Sequence, residues 1–564
     1  MQAEMARWIE NVTEPDLAAE LSRMKEAVET GDESAFTDAF FQDLSFGTAG
    51  LRGTLGAGTN RMNVYTVGRA TQGFADYLNA HFENPSVAIA RDSRNNGELF
   101  VRTAAAIFAA NGVHAYVYPR ISPVPTLSWA VRDLGCSGGV CVTASHNPAA
   151  YNGYKAYGPD GCQITSEAAA AISAAIEGTD LFSGVKSVDF DATLAKGDIT
   201  WIDDAVLERY FDAVLSKSVS NLSADEVAKA PLKLVYTPLN GTGLVPVTTV
   251  LERAGVTDIT VVPEQRDPDG DFPTCTYPNP EIREAMQKGI ELCERVHPDL
   301  LLATDPDADR VGVAVKDGED YLLLTGNEMG VLLLDYICRM RADRGEDLAE
   351  KVAVTTIVSS AMVDALAAKY GFELRRCLTG FKYIGDIITE LADAGQADRF
   401  IFGFEESYGY LSGDHVRDKD AVNASLLICQ MAQSYKLQGK NLADAMRDLY
   451  AEHGYWLNRT VSVSYPGAEG AAAMAAIMER LRAEAPSEVA GLTVEGVIDY
   501  EDAGTGLPPA NVVELRLAGG NKAIVRPSGT EPKIKLYVFA KDNTREGAEA
   551  LLDSIEASGR KLLA

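Results

Sequence analysis

The sequence predicts an α/β protein, built as three similar α/β domains followed by a smaller α+β domain. Two observations carry that prediction. Between about residue 87 and residue 404, short apolar runs rich in Val, Ile and Leu alternate with helix-length amphipathic stretches. The alternation completes three cycles, each of roughly 120 residues, without a close sequence repeat. Beyond residue 455 the pattern changes to several short strands with only two helical stretches. A chain of 564 residues is also too long for one hydrophobic core.

Residues 1–44 read as amphipathic helix, with Trp8, Leu17, Leu21 and Met24 set among acids, and form an extension packed on the first domain. In the first cycle, strand 87–92 (VAIARD) precedes helix 97–111, strand 114–119, a helix ending near Gly135 and strand 138–144 (GGVCVTA). The second cycle runs from strand 232–239 through a helix from about 243, strand 259–263 and a further helix to strand 299–304. The third holds helix 328–342, strand 351–359, a helix, strand 372–377, a helix near 384–394 and strand 399–404. The last region holds strands 459–464, 493–500, 512–518, 522–527 and 533–540, with helices near 468–484 and 545–562. Linkers near 205, 325 and 455 divide the chain into 1–205, 206–325, 326–455 and 456–564.

With 46% apolar and 23% charged residues, the composition is that of an ordinary soluble globular protein. Apolar runs such as 330–338 are too short to span a membrane, and the acidic N-terminus lacks the layout of a signal peptide. The eight cysteines include no C-x-x-C pair, so they read as small buried hydrophobes in a reducing cytoplasm. A net charge of −30 argues against nucleic acid or an anionic membrane as a partner. For a phosphate-bearing substrate, local clusters of Lys and Arg would have to overcome that field.

Strand 138–144 ends in TASHNP (143–148), and α/β sheets place ligands just past the carboxyl ends of parallel strands. Ser145 suits a nucleophile or phosphate carrier, and His146, Asn147 and Lys155 suit the orienting and neutralising of a phosphate. A plain turn built on Ser, Asn and Pro is the competing explanation. Gly135-Cys136-Ser137-Gly138-Gly139 fits the G-x-S-x-G spelling of a nucleophile elbow. The elbow needs a strand before the serine and a helix after it. Here the order is reversed, and Ser137 reads as a helix-stop residue.

DLLLATDPDADR (299–310) is the most specific chemistry in the chain. Asp305, Asp307 and Asp309 alternate at the end of an apolar strand, so three carboxylates can converge on one hard cation such as Mg²⁺. A calcium EF-hand loop would need Gly and Glu where Arg310 and Lys316 stand. A solvated acidic turn would not explain the apolar run before the motif or the Arg that closes it.

In the third cycle, LTGFKYIG (378–385) and GFEESYGY (403–410) offer Lys382 as a point charge and Glu405 and Ser407 as partners for sugar hydroxyls. SGDHVRDKDAV (412–422) adds His415 and Lys419 for acid–base roles. Taken singly, such residues are more often just solvated surface. In the last domain, Arg526, Ser528, Gly529 and Thr530 form a tight loop suited to an anion, although a hairpin turn has the same spelling. Lys533 and Lys535 nearby, with Arg52, Lys155 and Arg310, supply the local positive charge.

These loops, in this order, resemble the α-D-phosphohexomutase family of phosphoglucomutases and phosphomannomutases. The match runs from FGTAGLRG (46–53) through TASHNP, DPDADR and GFEESYG to RPSGTEP (526–532). The resemblance implies four domains around a central cleft, three of them related α/β domains with mixed sheets. It implies that Ser145 carries a phosphoryl group, that Asp305, Asp307 and Asp309 hold Mg²⁺ with Ser145 beside it, and that His146, Lys155, Arg52, His415 and Lys419 serve the transfer. Thr379, Gly380, Lys382, Glu405 and Ser407 would meet the sugar, and Arg310, Arg526, Ser528, Gly529 and Thr530 its phosphate. TGFKYIG and the E-E-S at 405–407 are similar to the family's glucose-type spellings. The implied reaction interconverts glucose 1-phosphate and glucose 6-phosphate through glucose 1,6-bisphosphate. The N-terminal extension is similar to that of a long-chain branch that also holds pentose-phosphate mutases, and mannose phosphates are the other alternative.

Two other functions share parts of this pattern. A metal-dependent phosphatase would release free phosphate, and a non-catalytic sugar-phosphate sensor would need neither Ser145 nor the three aspartates.

Overall fold

Every residue of strand Gly138–Val142 is buried, as is expected of a parallel strand covered on both faces by helices. It pairs in parallel with Ser86–Arg91, which pairs in turn with His114–Val117, and that strand with Ile199–Trp201. On its other side Tyr151–Tyr157 runs antiparallel, followed by Gly50–Thr54, so this six-stranded sheet is mixed. The antiparallel neighbour was not expected from YNGYKAY. It arises because the serine loop is a short reversal, and a short connection can only return the chain antiparallel.

The computed structural model describes residues 2–47, 50–465, 467–528 and 533–563. It divides into a unit of Met1–Leu323 with Gly385–Asp398 and Gly409–Gln433, and a unit of Leu324–Ile384, Arg399–Tyr408 and Ser434–Ala564. Among the described residues, no helix is long and apolar enough to cross a membrane.

The first unit contains a second sheet, with strand Leu300–Thr304 fully buried at its centre. Lys233–Thr237 lies parallel to it on one side, and Val311–Asp317 antiparallel on the other with Val311 opposite Thr304. Residues 305–310 are therefore the turn of a β-hairpin, which the sequence reading ended at the strand. The N-terminal extension forms helices Gln2–Asn11, Pro15–Glu29 and Ser34–Phe40. Trp8 is fully buried, with its ring centroid 5.7 Å from Tyr65 and 5.6 Å from Phe182, so the extension packs against those residues. Ser137 lies between helix Val124–Asp133 and strand Gly138–Val142, in the order that excludes a nucleophile elbow.

In the second unit, strand Val352–Thr356 sits in parallel between Glu373–Cys377 and Phe400–Glu405. The C-terminal sheet is antiparallel and six-stranded, running from Tyr455–Ser464 through Lys533–Asp542, Asn521–Pro527, Val513–Leu517 and Leu492–Asp499 to Glu488–Val489. Val513, Leu515 and Leu517 build its core with Leu536, Val538 and Ile555. The α+β expectation for this region holds.

Ile357, Val358 and Leu378 of this unit's α/β part share a cluster with Tyr500, Ile524 and Phe539 of the C-terminal sheet. Lys522 stands beside that cluster, its Nζ donating to the Ile357 carbonyl at 2.8 Å and lying 4.5 Å from the centroid of the Phe539 ring. Burial pushes its ammonium down to about 8 from an ordinary 10.5, against the pull of Glu514. Between those two values the unfolded chain holds a proton that the folded chain has released, so folding gains stability as pH rises. The slope from this group is at most about 1.4 kcal/mol per pH unit. Melting curves recorded from about pH 7 to about pH 10 should show the native protein gaining on Lys522→Met. Parallel curves would show that Lys522 titrates normally.

Candidate active site

Ser145 closes the apolar strand Gly138–Val142 and adopts a left-handed backbone with φ +52°. Its side chain is almost wholly buried, and its Oγ donates to Asp305 Oδ2 at 2.9 Å. On its other side His146 Nδ1 lies 3.2 Å from the same oxygen. Burial, reinforced by the guanidinium groups of Arg310 and Arg52, holds the His146 imidazole well below its ordinary range. His146 is therefore neutral around pH 7.

The hairpin turn 305–310 is tightly held. Asp305 Oδ1 accepts from the backbone N–H groups of Asp309 at 3.2 Å and Arg310 at 3.0 Å. The Asp307 carbonyl accepts from Val124 N at 2.9 Å, which ties the turn to the first α/β domain. Ala308 takes a positive φ of 47° at the tip. The result brings one oxygen each from Asp305, Asp307 and Asp309 within 4.8 Å of one another, at no more than 1% exposure.

Two lysines face this group. Lys155 Nζ lies 2.8 Å from Asp307 Oδ2 and 3.4 Å from Asp309 Oδ2, and Lys419 Nζ lies 3.2 Å from Asp309 Oδ2. Burial alone would lower the Lys155 ammonium, but Asp307 and Asp309 outweigh it and raise it. Asp305 has no lysine among its contacts, and burial together with Asp307 and Asp309 raises its carboxyl well above the usual range. Asp309 goes the other way: burial opposes ionisation, but Lys419, Lys155 and Arg310 hold it low. Oδ1 of Asp307 and Oδ1 of Asp309 are buried without a hydrogen-bond partner. Unpaired buried carboxylate oxygens beside a third carboxylate fit a hard divalent cation, which would take them as ligands.

Arg310 completes this side, pairing with Glu281 at 3.1 Å. Arg52 reaches Asn147 Oδ1 at 3.4 Å. His415, expected in an acid–base role, has Nε2 2.9 Å from Asp420 Oδ2, and its Nδ1 is buried without a hydrogen-bond partner. The motif around it reads as solvated surface in the sequence, yet residues 415–420 are all buried.

In the second unit, Glu405 Oε1 accepts from Gly380 N at 2.9 Å, and Ser407 Oγ donates to Glu406 Oε1 at 3.3 Å. Residues 378–385 and 403–410 thus meet. Thr379 Oγ1 is buried without a hydrogen-bond partner. Lys382 is in the first turn of helix Phe381–Asp393, three residues ahead of the expected helix start, with its Nζ 5.0 Å from the centroid of the Tyr383 ring. Arg526 lies on strand Asn521–Pro527, and Ser528 N donates to Lys533 O at 2.8 Å. Gly529 and Thr530 lie outside the described residues.

Residues 43–182, 208–318, 325–453 and 474–557 match, in order, α/β/α domains I, II and III and the C-terminal domain of phosphoglucomutase/phosphomannomutase. The chain belongs to the phosphoglucomutase/phosphomannomutase family. A Staphylococcus epidermidis relative named phosphoglucomutase is 37% identical over 512 residues, which cover 88% of this chain and 90% of the relative. The fold of this family is also seen in a Burkholderia thailandensis family member, at a TM-score of 0.68 and 18% identity over 92% of this chain and 96% of that one. An Aspergillus fumigatus N-acetylphosphoglucosamine mutase, solved with GlcNAc-6P and magnesium, aligns at a TM-score of 0.52 and 15% identity over 98% of this chain and 100% of its own. As a family member the chain is a mutase of the isomerase class.

Three residues that shape this site were not singled out from sequence. Asp92, Arg94 and Thr143 lie at the carboxyl ends of adjacent parallel strands, the one signal that could have flagged them.

Proposed function

We propose that the chain interconverts glucose 1-phosphate and glucose 6-phosphate, with Ser145 carrying the phosphoryl group. The observation behind this reading is the 2.9 Å approach of Ser145 Oγ to Asp305 inside a fully buried carboxylate group faced by two lysines. The relatives' name, phosphoglucomutase, supports the choice of glucose.

Phosphoryl transfer demands in-line placement and charge neutralisation more than covalent chemistry from the protein. In the first half-reaction the Oγ–P bond of phosphorylated Ser145 breaks while a P–O bond forms to the free hydroxyl of the sugar monophosphate. The hydroxyl's proton ends on Ser145 Oγ, and the product is glucose 1,6-bisphosphate. Neutral His146, 3.2 Å from Oγ, would hand a proton to Oγ as it leaves. The bisphosphate then returns its other phosphoryl group to Ser145 by the reverse step. Lys155, whose ammonium Asp307 and Asp309 stabilise, and Lys419 would face the carboxylates throughout. Mg²⁺ held by Asp305, Asp307 and Asp309 would supply positive charge to the phosphoryl oxygens. Glu405 and Ser407 would accept and donate to sugar hydroxyls, and Arg526 with Ser528 would hold the phosphate that does not react.

A coupled assay with glucose, mannose and ribose 1-phosphates, supplied with Mg²⁺ and glucose 1,6-bisphosphate, tests the reading. The highest kcat/KM is expected for glucose 1-phosphate, with no free phosphate released. A faster reaction with ribose or mannose 1-phosphate would reassign the substrate, and stoichiometric phosphate release would make the protein a phosphatase.

A further inference from the structure

The backbone of the serine loop turns several carbonyl oxygens toward one point, and one side chain meets them all. Arg94 Nη1 donates to the carbonyls of Pro148 and Tyr151, each at 2.9 Å, and its Nη2 donates to the carbonyl of Ser145 at 2.7 Å and to that of Asn147. The side chain has no solvent exposure, and neither has that of Asp92, whose Oδ2 lies 3.3 Å from Arg94 Nε. The same Asp92 oxygen lies 2.6 Å from the Thr143 hydroxyl, which is also 3.1 Å from Asp307 Oδ2 and accepts from Ser145 N at 2.8 Å. A continuous set of contacts therefore runs from the loop carbonyls through Arg94, Asp92 and Thr143 to a carboxylate of the trio.

Converging carbonyl dipoles repel one another, and a left-handed serine is held only where its surroundings determine it. Arginine presents five N–H groups in a rigid planar fork, and four carbonyls of one loop are what such a fork can bind. A lysine at the same place would bring the same charge as a single point and could satisfy only part of the set.

We propose that Arg94 is the positioning residue of the phosphoryl-carrying loop: it fixes where Ser145 Oγ sits relative to Asp305 and Asp307 without touching substrate. This rests on the reading of Ser145 as the carrier.

Displacing a reacting group by about 1 Å costs on the order of 100-fold in rate. Arg94→Lys is therefore expected to lower kcat about 100-fold while KM for glucose 1-phosphate stays within about threefold. Loading of Ser145 from glucose 1,6-bisphosphate, followed by intact mass, should slow by the same factor, and amide exchange across residues 143–151 should speed up in the sugar-free protein. Added guanidinium ion should restore part of the rate of Arg94→Ala. Should the Arg94 variants fail to fold, Thr143→Val tests the same chain of contacts with little change of volume, and about a tenfold fall in kcat at unchanged KM is expected. Loading by a folded variant at the native rate, or a raised KM with kcat unchanged, would overturn the proposal. If the native protein takes no phosphoryl group at Ser145, the carrier reading falls and the proposal falls with it.

Discussion

Replacing Ser145 by alanine should abolish mutase activity, with a loss of about 10⁴-fold or more, because the substitution removes the hydroxyl proposed to carry the phosphoryl group. The fold should survive. The loop is held by the Arg94 and Thr143 contacts to its backbone, none of which uses the Ser145 hydroxyl. The only side-chain bonds lost are those of Oγ with Asp305 and His146. The variant should still bind glucose 6-phosphate with near-native affinity by calorimetry, and should gain no mass on incubation with glucose 1,6-bisphosphate. An active Ser145→Ala protein would move the carrier elsewhere.

Chelation of divalent cations should lower activity about 10³-fold or more, and Mg²⁺ should restore it. The charge balance of the site gives the reason. Burial and its two neighbouring carboxylates hold the Asp305 carboxyl well above its usual range, so Lys155, Lys419 and Arg310 do not favour ionising all three acids in a region this buried. A dianionic phosphoserine added there would be strongly opposed in low dielectric unless a dication accompanied it. Asp307→Asn keeps the shape but takes away one carboxylate oxygen and the charge that Lys155 meets at 2.8 Å. In the native protein, Mg²⁺ at 100 times its Kd should add about 2.7 kcal/mol to unfolding stability. In Asp307→Asn most of that gain should vanish in the same melts. Full activity in chelator, with no stabilisation by Mg²⁺, would refute a resident cation.

The parts of the site that the sequence disclosed are those whose neighbours along the chain already carried the signal. Ser145 and the three aspartates each follow an apolar strand, and strand ends announce themselves by periodicity. Arg94 did not, because the carbonyls it binds lie more than fifty residues away and D-S-R after a strand looks like any polar turn. His415 and Lys419 sit in a stretch dense with charge, which local composition assigns to solvent. Only the packing of that stretch against Tyr157, Tyr210 and Arg132 makes it interior. The helix at Phe381 begins early because Gly380, at φ +127°, lets the chain turn abruptly into it. The strand Tyr151–Tyr157 was missed because its small and polar residues give no clear alternation, and its place is set by the sheet beside it.

The first unit is discontinuous in the chain, since residues 409–433 belong with Met1–Leu323. During synthesis, then, the aspartates emerge after Lys155 but well before Lys419, the second ammonium that faces Asp309. At ordinary ribosomal speeds the interval is roughly 5–20 s. Throughout it Lys155 and Arg310 alone offset those acids, and a fragment ending at residue 323 would lack the Lys419 contact permanently.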